Sequence, residues 1–265
     1  MDVPIQAILF DLDDTLIVDE SISKAALEVT AALAAKLHGT DPAQFLADAA
    51  KISQTLWRDN PCLEYCAETG ITAEECLWGN FTGESPDLVA LRAWAMNFRI
   101  SLFDAVLRKQ GLPGEEEALA TEFSAARRRL QRLMPDAKET LARLKPAFKI
   151  GLLTNGAPDL QREKIATSGL GCFFDAVAVS GEHLIGKPNP EIFHILLGEL
   201  GAGPEETMMV GNSLARDIAG AQAAGIAHTV WIQVPGSEEF ADVTPDHTIR
   251  GLHELPQLLL GLTNP

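Results

Sequence analysis

Long apolar stretches are missing from this sequence: nowhere in its 265 residues do about eighteen apolar side chains run together, which excludes a hydrophobic membrane-crossing helix. Positive charge is scarce as well. Lys and Arg number 21 against 37 Asp and Glu, and the formal net charge of −16 repels nucleic acid and anionic lipid surfaces, so neither is expected as a partner. The best basic cluster, Arg127, Arg128, Arg129 and Arg132, lies in a polar helical stretch that also holds Glu115, Glu116, Glu117 and Glu122, and it reads as a solvated helix face. Cysteine is sparse: Cys62, Cys66, Cys76 and Cys172 include no Cys-x-x-Cys pair. Cys62 and Cys66 could share a helix face, but no histidine or third cysteine stands at ligand spacing, so they read as packed thiols in a reducing compartment. A basic leader is lacking too. The start, Met1-Asp2-Val3-Pro4, is acidic where a secretory signal is basic, and the expected location is the cytoplasm.

What is present describes a globular protein able to bury a substantial core, with 46% hydrophobic and 22% charged residues. Two textures divide the chain. Residues 20–134 offer no convincing strand; Ala, Leu, Glu and Arg recur at helical spacing, broken at Gly39-Thr40-Asp41-Pro42, Asn60-Pro61, Gly83-Glu84-Ser85-Pro86 and Gly111-Leu112-Pro113-Gly114. From Pro135 onward helices and strands alternate. The strands are expected at Phe148 to Leu153, Phe174 to Val179, Thr207 to Val210 and His228 to Ile232, and the helices at Asp136 to Lys145, Pro158 to Ser168, Pro190 to Leu200 and Leu214 to Ala224. Such alternation predicts an α/β fold, a parallel sheet with helices on both faces. The only strand candidate before the helical segment is Ile5 to Phe10, which therefore joins that later sheet. The predicted organisation is an α/β core from residues 1–19 and 135–265, with residues 20–134 inserted as a helical module.

In an open parallel sheet, ligands sit beyond the carboxyl ends of the strands. The first strand ends in Asp11-Leu12-Asp13-Asp14-Thr15-Leu16. Side chains two apart in extended chain share a face, so Asp11 and Asp13 point into one crevice while Leu12 turns to the opposite side. Two carboxylates that close repel each other, and a fold keeps them where a cation, a shared proton or chemistry compensates. The second strand ends in Thr154-Asn155-Gly156, where a hydroxyl, an amide and backbone N–H groups ahead of a helix suit an anion. After the third come Ser180-Gly181-Glu182 and Gly186-Lys187-Pro188, and after the fourth Gly211-Asn212-Ser213, with Asp217 further on. Singly, each is as readily a turn, a loop or a capping residue. Converging at one sheet edge, they describe a metal-plus-phosphate site.

In this order, Asp11 to Leu16, Leu153-Thr154-Asn155, Gly186-Lys187-Pro188 and Val210-Gly211-Asn212-Ser213-Leu214-Ala215-Arg216-Asp217 resemble the four motifs of the haloacid dehalogenase-like hydrolase superfamily. The resemblance spans most of the sheet domain, and the helical insertion between the first two motifs resembles the superfamily's type-1 cap. It implies a Rossmann-like core with an α-helical cap, and the acid at Asp13, absent from true dehalogenases, implies the phosphatase branch. By that resemblance Asp11 is the nucleophile that becomes an aspartyl phosphate, and Asp13 the acid that protonates the leaving oxygen and then activates water. Thr154 and Asn155 donate to phosphoryl oxygens, and Lys187 neutralises charge on Asp11 and the transferring group. The implied cofactor is Mg²⁺, held by Asp11, the backbone carbonyl of Asp13, and Asn212 with Asp217 in the fourth motif. Asn212 departs from the pattern, which usually has aspartate there; its amide oxygen brings no negative charge, leaving Asp217 to supply more of the attraction. The implied substrate is a small phosphate monoester. A phosphomutase of the same superfamily and a phosphate-binding module of weak or no catalysis remain alternatives. Trp57, Arg58, Trp78, Arg92, Trp94 and Arg99 lie in the inserted module; its tryptophans read as core and its arginines as surface ion-pair partners, with substrate contacts as the other possibility.

Overall fold

The structure is a computed structural model and describes residues 3–112, 114–233 and 242–263. Met1, Asp2 and Pro113, on which expectations above fell, lie outside the described residues. Two compact units divide the chain. One comprises residues 1–18, 132–155 and 161–265; the other comprises 19–131 and 156–160.

The first unit is built on a sheet of β1 (Ala7–Phe10), β2 (Lys149–Thr154), β3 (Ala176–Val179), β4 (Thr207–Gly211), β5 (His228–Ile232) and β6 (His247–Ile249). Every pairing is parallel and the order is β3-β2-β1-β4-β5-β6. β1 is central because its side chains are apolar on both faces, as a strand covered twice requires. Ile8, Phe10 and Leu12 pack in one cluster with Leu141, Leu144, Leu255 and Leu259, whereas Leu9 packs in another with Leu153, Met209 and Leu196. The chain runs from β1 outward to β3, then returns to the other side of β1 at β4. The strand ends flanking β1 therefore border the crevice where connections diverge to opposite sides. β6, short and, among the described residues, pairing only with β5, was not foreseen: three residues are too few to display a period of two.

The second unit holds α1 (Glu20–His38), α2 (Pro42–Trp57), α3 (Leu63–Thr69), α4 (Ala73–Cys76), α5 (Pro86–Lys109) and α6 (Glu116–Arg129). Two of the expected breaks carry caps. Gly39 closes α1 with φ 73°, Asp41 accepts from Ala43 N at 2.9 Å ahead of Pro42, and Ser85 accepts from Leu88 N at 3.3 Å ahead of Pro86. Phe45, Leu91, Phe98, Phe103 and Phe123 fill its core. The sheet unit resumes at Arg132, earlier than the predicted Pro135. Backbone bonds explain the shift: Val18 N donates to Arg132 O at 3.0 Å and Met134 N to Leu16 O at 2.9 Å, tying the outgoing and returning chains together.

The remaining helices are α7 (Ala137–Leu144), α8 (Pro158–Ser168), α9 (Ser180–His183), α10 (Pro190–Leu200), α11 (Ala219–Ala223) and α12 (Leu255–Thr263). α8 and α10 have the predicted limits. The helix expected over Leu214 to Ala224 instead opens with a wide π turn, Leu214–Ile218, before α11. Ser213 O accepts from both Asp217 N and Ile218 N, at 2.9 and 3.2 Å, and the extra width lets Asp217 bend back toward β4.

Candidate active site

The site is assembled within the sheet unit, from strand ends. Asp11 follows β1 directly and its N–H still donates to Val210 O on β4 at 3.0 Å, so its backbone is held as firmly as the strand. Its Oδ1 accepts from Lys187 Nζ at 2.5 Å. The same ammonium reaches Asp217 Oδ1 at 2.7 Å and donates to Leu153 O at 2.9 Å. These are three acceptors for three N–H bonds, so Lys187 is saturated. Lys187 and Asp217 have side chains only 2% exposed, which makes this a buried cation shared by two carboxylates. Burial pushes the Asp11 carboxyl above its ordinary value; Lys187 opposes that and Asp217 adds to it. Burial likewise works against the charge on Lys187, but Asp11 and Asp217 together outweigh it and hold the ammonium above its usual range.

Lys187 is itself placed by Asn155. The amide of Asn155 donates from Nδ2 to Lys187 O at 2.9 Å and accepts on Oδ1 from Lys187 N at 2.8 Å. The amide fills the space a side chain at residue 186 would need: a Cβ on Gly186 would lie 2.8 Å from Asn155 Oδ1. Asn155 is thus a clip joining the end of β2 to the 186–188 loop, where the Lys187–Pro188 peptide is cis. What it retains toward an anion is its backbone N–H and the second amide hydrogen.

Asp217 is seated against β4. Its Oδ2 accepts from Ser213 N at 2.9 Å, and a Cβ on Gly211 would collide with that oxygen. Residue 211 must therefore be glycine for the carboxylate to reach Lys187. Gly211→Ala should displace Asp217, reduce turnover, and destabilise the protein by about 2 kcal/mol, as overpacking does. For a chain of this size, that corresponds to a thermal midpoint about 5 °C lower by scanning calorimetry. An unchanged midpoint would show that the seat is loose.

Asn212 turns its Oδ1 to 3.5 Å from the Thr15 hydroxyl, which brings the amide oxygen to the loop after β1. Its backbone carbonyl accepts from Trp231 Nε1 at 2.9 Å. Asp11 and Asn212 therefore offer oxygen at neighbouring strand ends with no thiol or imidazole among them, a donor set that fits a hard cation such as Mg²⁺. Among the described residues, no three His, Cys, Asp or Glu side chains group as a metal site. Backbone carbonyls, water and phosphate would complete the coordination, as Mg²⁺ commonly requires.

Asp13 meets a second lysine. Lys164 Nζ takes both of its oxygens, at 2.9 and 2.8 Å, and Gln161 Nε2 donates to Oδ2 at 3.1 Å. Gln161 also donates to Asn155 O at 3.1 Å and accepts from the Thr154 hydroxyl at 3.3 Å, so Thr154 faces inward to Gln161. Sequence reading overlooked both α8 residues. The available signal was their spacing of three on a helix entered directly from a motif-bearing strand.

Two expectations about the helical unit change. Arg127 is not on a solvated face: it is 1% exposed, pairs with Asp19, donates from Nε to Ser23 Oγ at 3.1 Å, and lies 4.7 Å over the Trp78 ring, where a planar guanidinium stacks well. Arg92 and Arg99 are not surface ion-pair partners either. Arg92 donates to Phe81 O at 3.2 Å, and Arg99 to Cys76 O at 2.6 Å and to Gly79 O, bracing a loop whose carbonyls need donors. Trp57 meets Trp94 edge-on at 5.8 Å and Trp94 stacks on Phe98 at 4.8 Å, so these rings pack as read. Cys62, Cys66 and Cys76 are buried free thiols.

A family model of haloacid dehalogenase-like hydrolases matches residues 5–225. The phosphoserine phosphatase of Thermus thermophilus is 37% identical over 250 residues, covering 94% of this chain and 96% of the relative. The N-acylneuraminate-9-phosphatase of Homo sapiens is 29% identical over 264 residues, covering 97% and 95%. Among solved structures, the HAD-hydrolase YfnB of Bacillus subtilis, bound to magnesium, aligns with a TM-score of 0.64 at 24% identity over 97% of this chain and 99% of that one, a likeness of fold.

Proposed function

The chain belongs to the haloacid dehalogenase-like hydrolases, and on that premise we propose that it hydrolyses small phosphate monoesters with Mg²⁺ bound, through an aspartyl phosphate on Asp11. The carrying observation is the division of labour between the two acids. Asp11 shares the Lys187 cation with Asp217, whereas Asp13 is held separately by Lys164 and Gln161.

In this reading Asp11 attacks phosphorus, the bond from phosphorus to the ester oxygen breaks, and Asp13 transfers a proton to that oxygen as the alcohol leaves. Asp13 then takes a proton from water, whose oxygen attacks phosphorus and releases Asp11 and inorganic phosphate. Lys187 holds the attacking carboxylate in register and offsets negative charge as the dianion approaches, at an effective dielectric far below that of water. The backbone N–H of Asn155 suits a phosphoryl oxygen as donor, whereas the Thr154 hydroxyl, given to Gln161 Oε1, would serve phosphate only on leaving that acceptor. Asp11, the carbonyl of Asp13 and Asn212 would hold Mg²⁺, with Asp217 supplying charge through its place beside Lys187. The ion, when bound, neutralises phosphoryl charge. The helical segment 20–134 would serve as the cap.

The test is phosphate release from a panel containing p-nitrophenyl phosphate, phosphoserine and N-acylneuraminate 9-phosphate, with and without Mg²⁺. The two metabolites enter because they are named for the relatives. Turnover that survives complete chelation would sink the Mg²⁺ requirement, and saturable binding without turnover would favour the phosphate-binding module that Asn212 raises. Return of phosphate to a second site of the substrate would identify a phosphomutase.

Asn212 supplies a graded prediction. Asn212→Asp adds one negative charge beside the ion and should lower the Mg²⁺ concentration for half-maximal activity about tenfold, a gain of about 1.4 kcal/mol. Asp217→Asn should raise it, and because both residues act on one ion the two effects should not add. A midpoint indifferent to Asn212→Asp but moved by Asp217→Asn would place residue 212 outside the coordination sphere.

A further inference from the structure

Lys164 and Gln161 are both 1% exposed, yet both direct their polar ends at one carboxylate. Burying an ammonium is unfavourable until its partner compensates, so an apolar residue on this face of α8 would suit packing alone better. The partner, Asp13, keeps 26% of its side chain exposed. The same carboxylate is therefore gripped by the protein and open to solvent. The grip also extends: Gln161 ties Asp13 to the Thr154 hydroxyl and to Asn155 O, at the end of β2.

We propose that Lys164 and Gln161 are positioning residues for acid–base catalysis, a clamp that fixes the Asp13 carboxylate relative to the strand ends. The inference rests on the reading of Asp13 as acid and base given above. Proton transfer requires the carboxyl within about 3 Å of the oxygen it serves, and a misplacement of about 1 Å can cost about a hundredfold. Neither clamp residue touches the reacting atoms in this role; both act through Asp13.

The consequence is a dependence on the leaving group. Phenolate, whose conjugate acid has a pKa of about 10, departs from phosphorus with more need of a proton than p-nitrophenolate, a far weaker base. The quantity to read is kcat/KM, which ends at release of the alcohol and excludes the later attack of water. Lys164→Met should lower kcat/KM for phenyl phosphate at least about tenfold while lowering it less than about threefold for p-nitrophenyl phosphate. Gln161→Met, similar in size and neutral but no longer a donor to Asp13, should give the same split and serves if the Lys164 variant does not fold. Equal losses for both esters in the folded variants, or no loss for either, would overturn the clamp while leaving the hydrolase reading intact. Wild-type protein inert toward both esters would instead overturn the reading on which the clamp rests.

Discussion

Asp11→Asn should abolish phosphate release, with turnover of p-nitrophenyl phosphate falling about 10⁴-fold or more, the scale seen when a covalent nucleophile is removed. The amide keeps the shape of the carboxylate but is a poor nucleophile toward phosphorus. Folding should survive, because Lys187 retains Asp217 at 2.7 Å as its counter-charge and Leu153 O as an acceptor. The decisive measurement is acid quenching during turnover of radiolabelled substrate. Wild-type protein should carry label on denatured chain and Asp11→Asn should carry none. A variant that turned over at the wild-type rate would show that the nucleophile lies elsewhere.

Lys187→Met should reduce turnover about a thousandfold and also destabilise the fold, by about 3–5 kcal/mol at neutral pH, since it strands buried charge. Asp11 and Asp217 would face each other without the cation both now share. The deficit has a defined pH dependence. Burial already pushes the Asp11 carboxyl upward, with Lys187 opposing, so deleting Lys187 leaves upward influences dominant. A folded-state carboxyl pKa above its unfolded value means the native form binds the extra proton. The variant should therefore be least stable above that raised pKa and recover as pH falls through it toward the ordinary aspartate range. Denaturant melts at several pH values measure this. A loss of stability indifferent to pH would mean that packing, not stranded charge, is responsible.

The parts of the site legible in advance are those fixed by local periodicity. Ile8, Leu9 and Phe10 are apolar without interruption, which marks a strand buried on both faces, and the acids beyond them fall at its carboxyl end. Residues 154, 155, 187 and 212 could likewise be placed because each follows or lies just beyond a recognisable strand. The wide turn at Leu214–Ile218 was not legible: Leu, Ala, Arg and Ile form ordinary α-helix, and the deviation arises from Asp217 folding back onto Ser213 N and over Gly211. Arg127 was misread for a similar reason. Three adjacent arginines look solvated until Asp19 and Trp78, distant in sequence, are found at the guanidinium.

By itself the sequence determined where β1 to β5 run, which polar side chains stand at their ends, and that the family's motifs occur in order, because these depend on neighbours within a few residues and on side-chain periods of two and 3.6. Tertiary structure alone decided how those groups are paired. Lys187, marked locally by its Gly-Lys-Pro setting, meets Asp11 across 176 positions, but its sharing with Asp217 was not legible; Lys164 meets Asp13 across 151, and nothing local distinguishes it from any other lysine. Helical spacing says that Gln161 and Lys164 share a face but not what that face meets; only packing of α8 against the loop after β1 delivers a buried cation to one particular carboxylate.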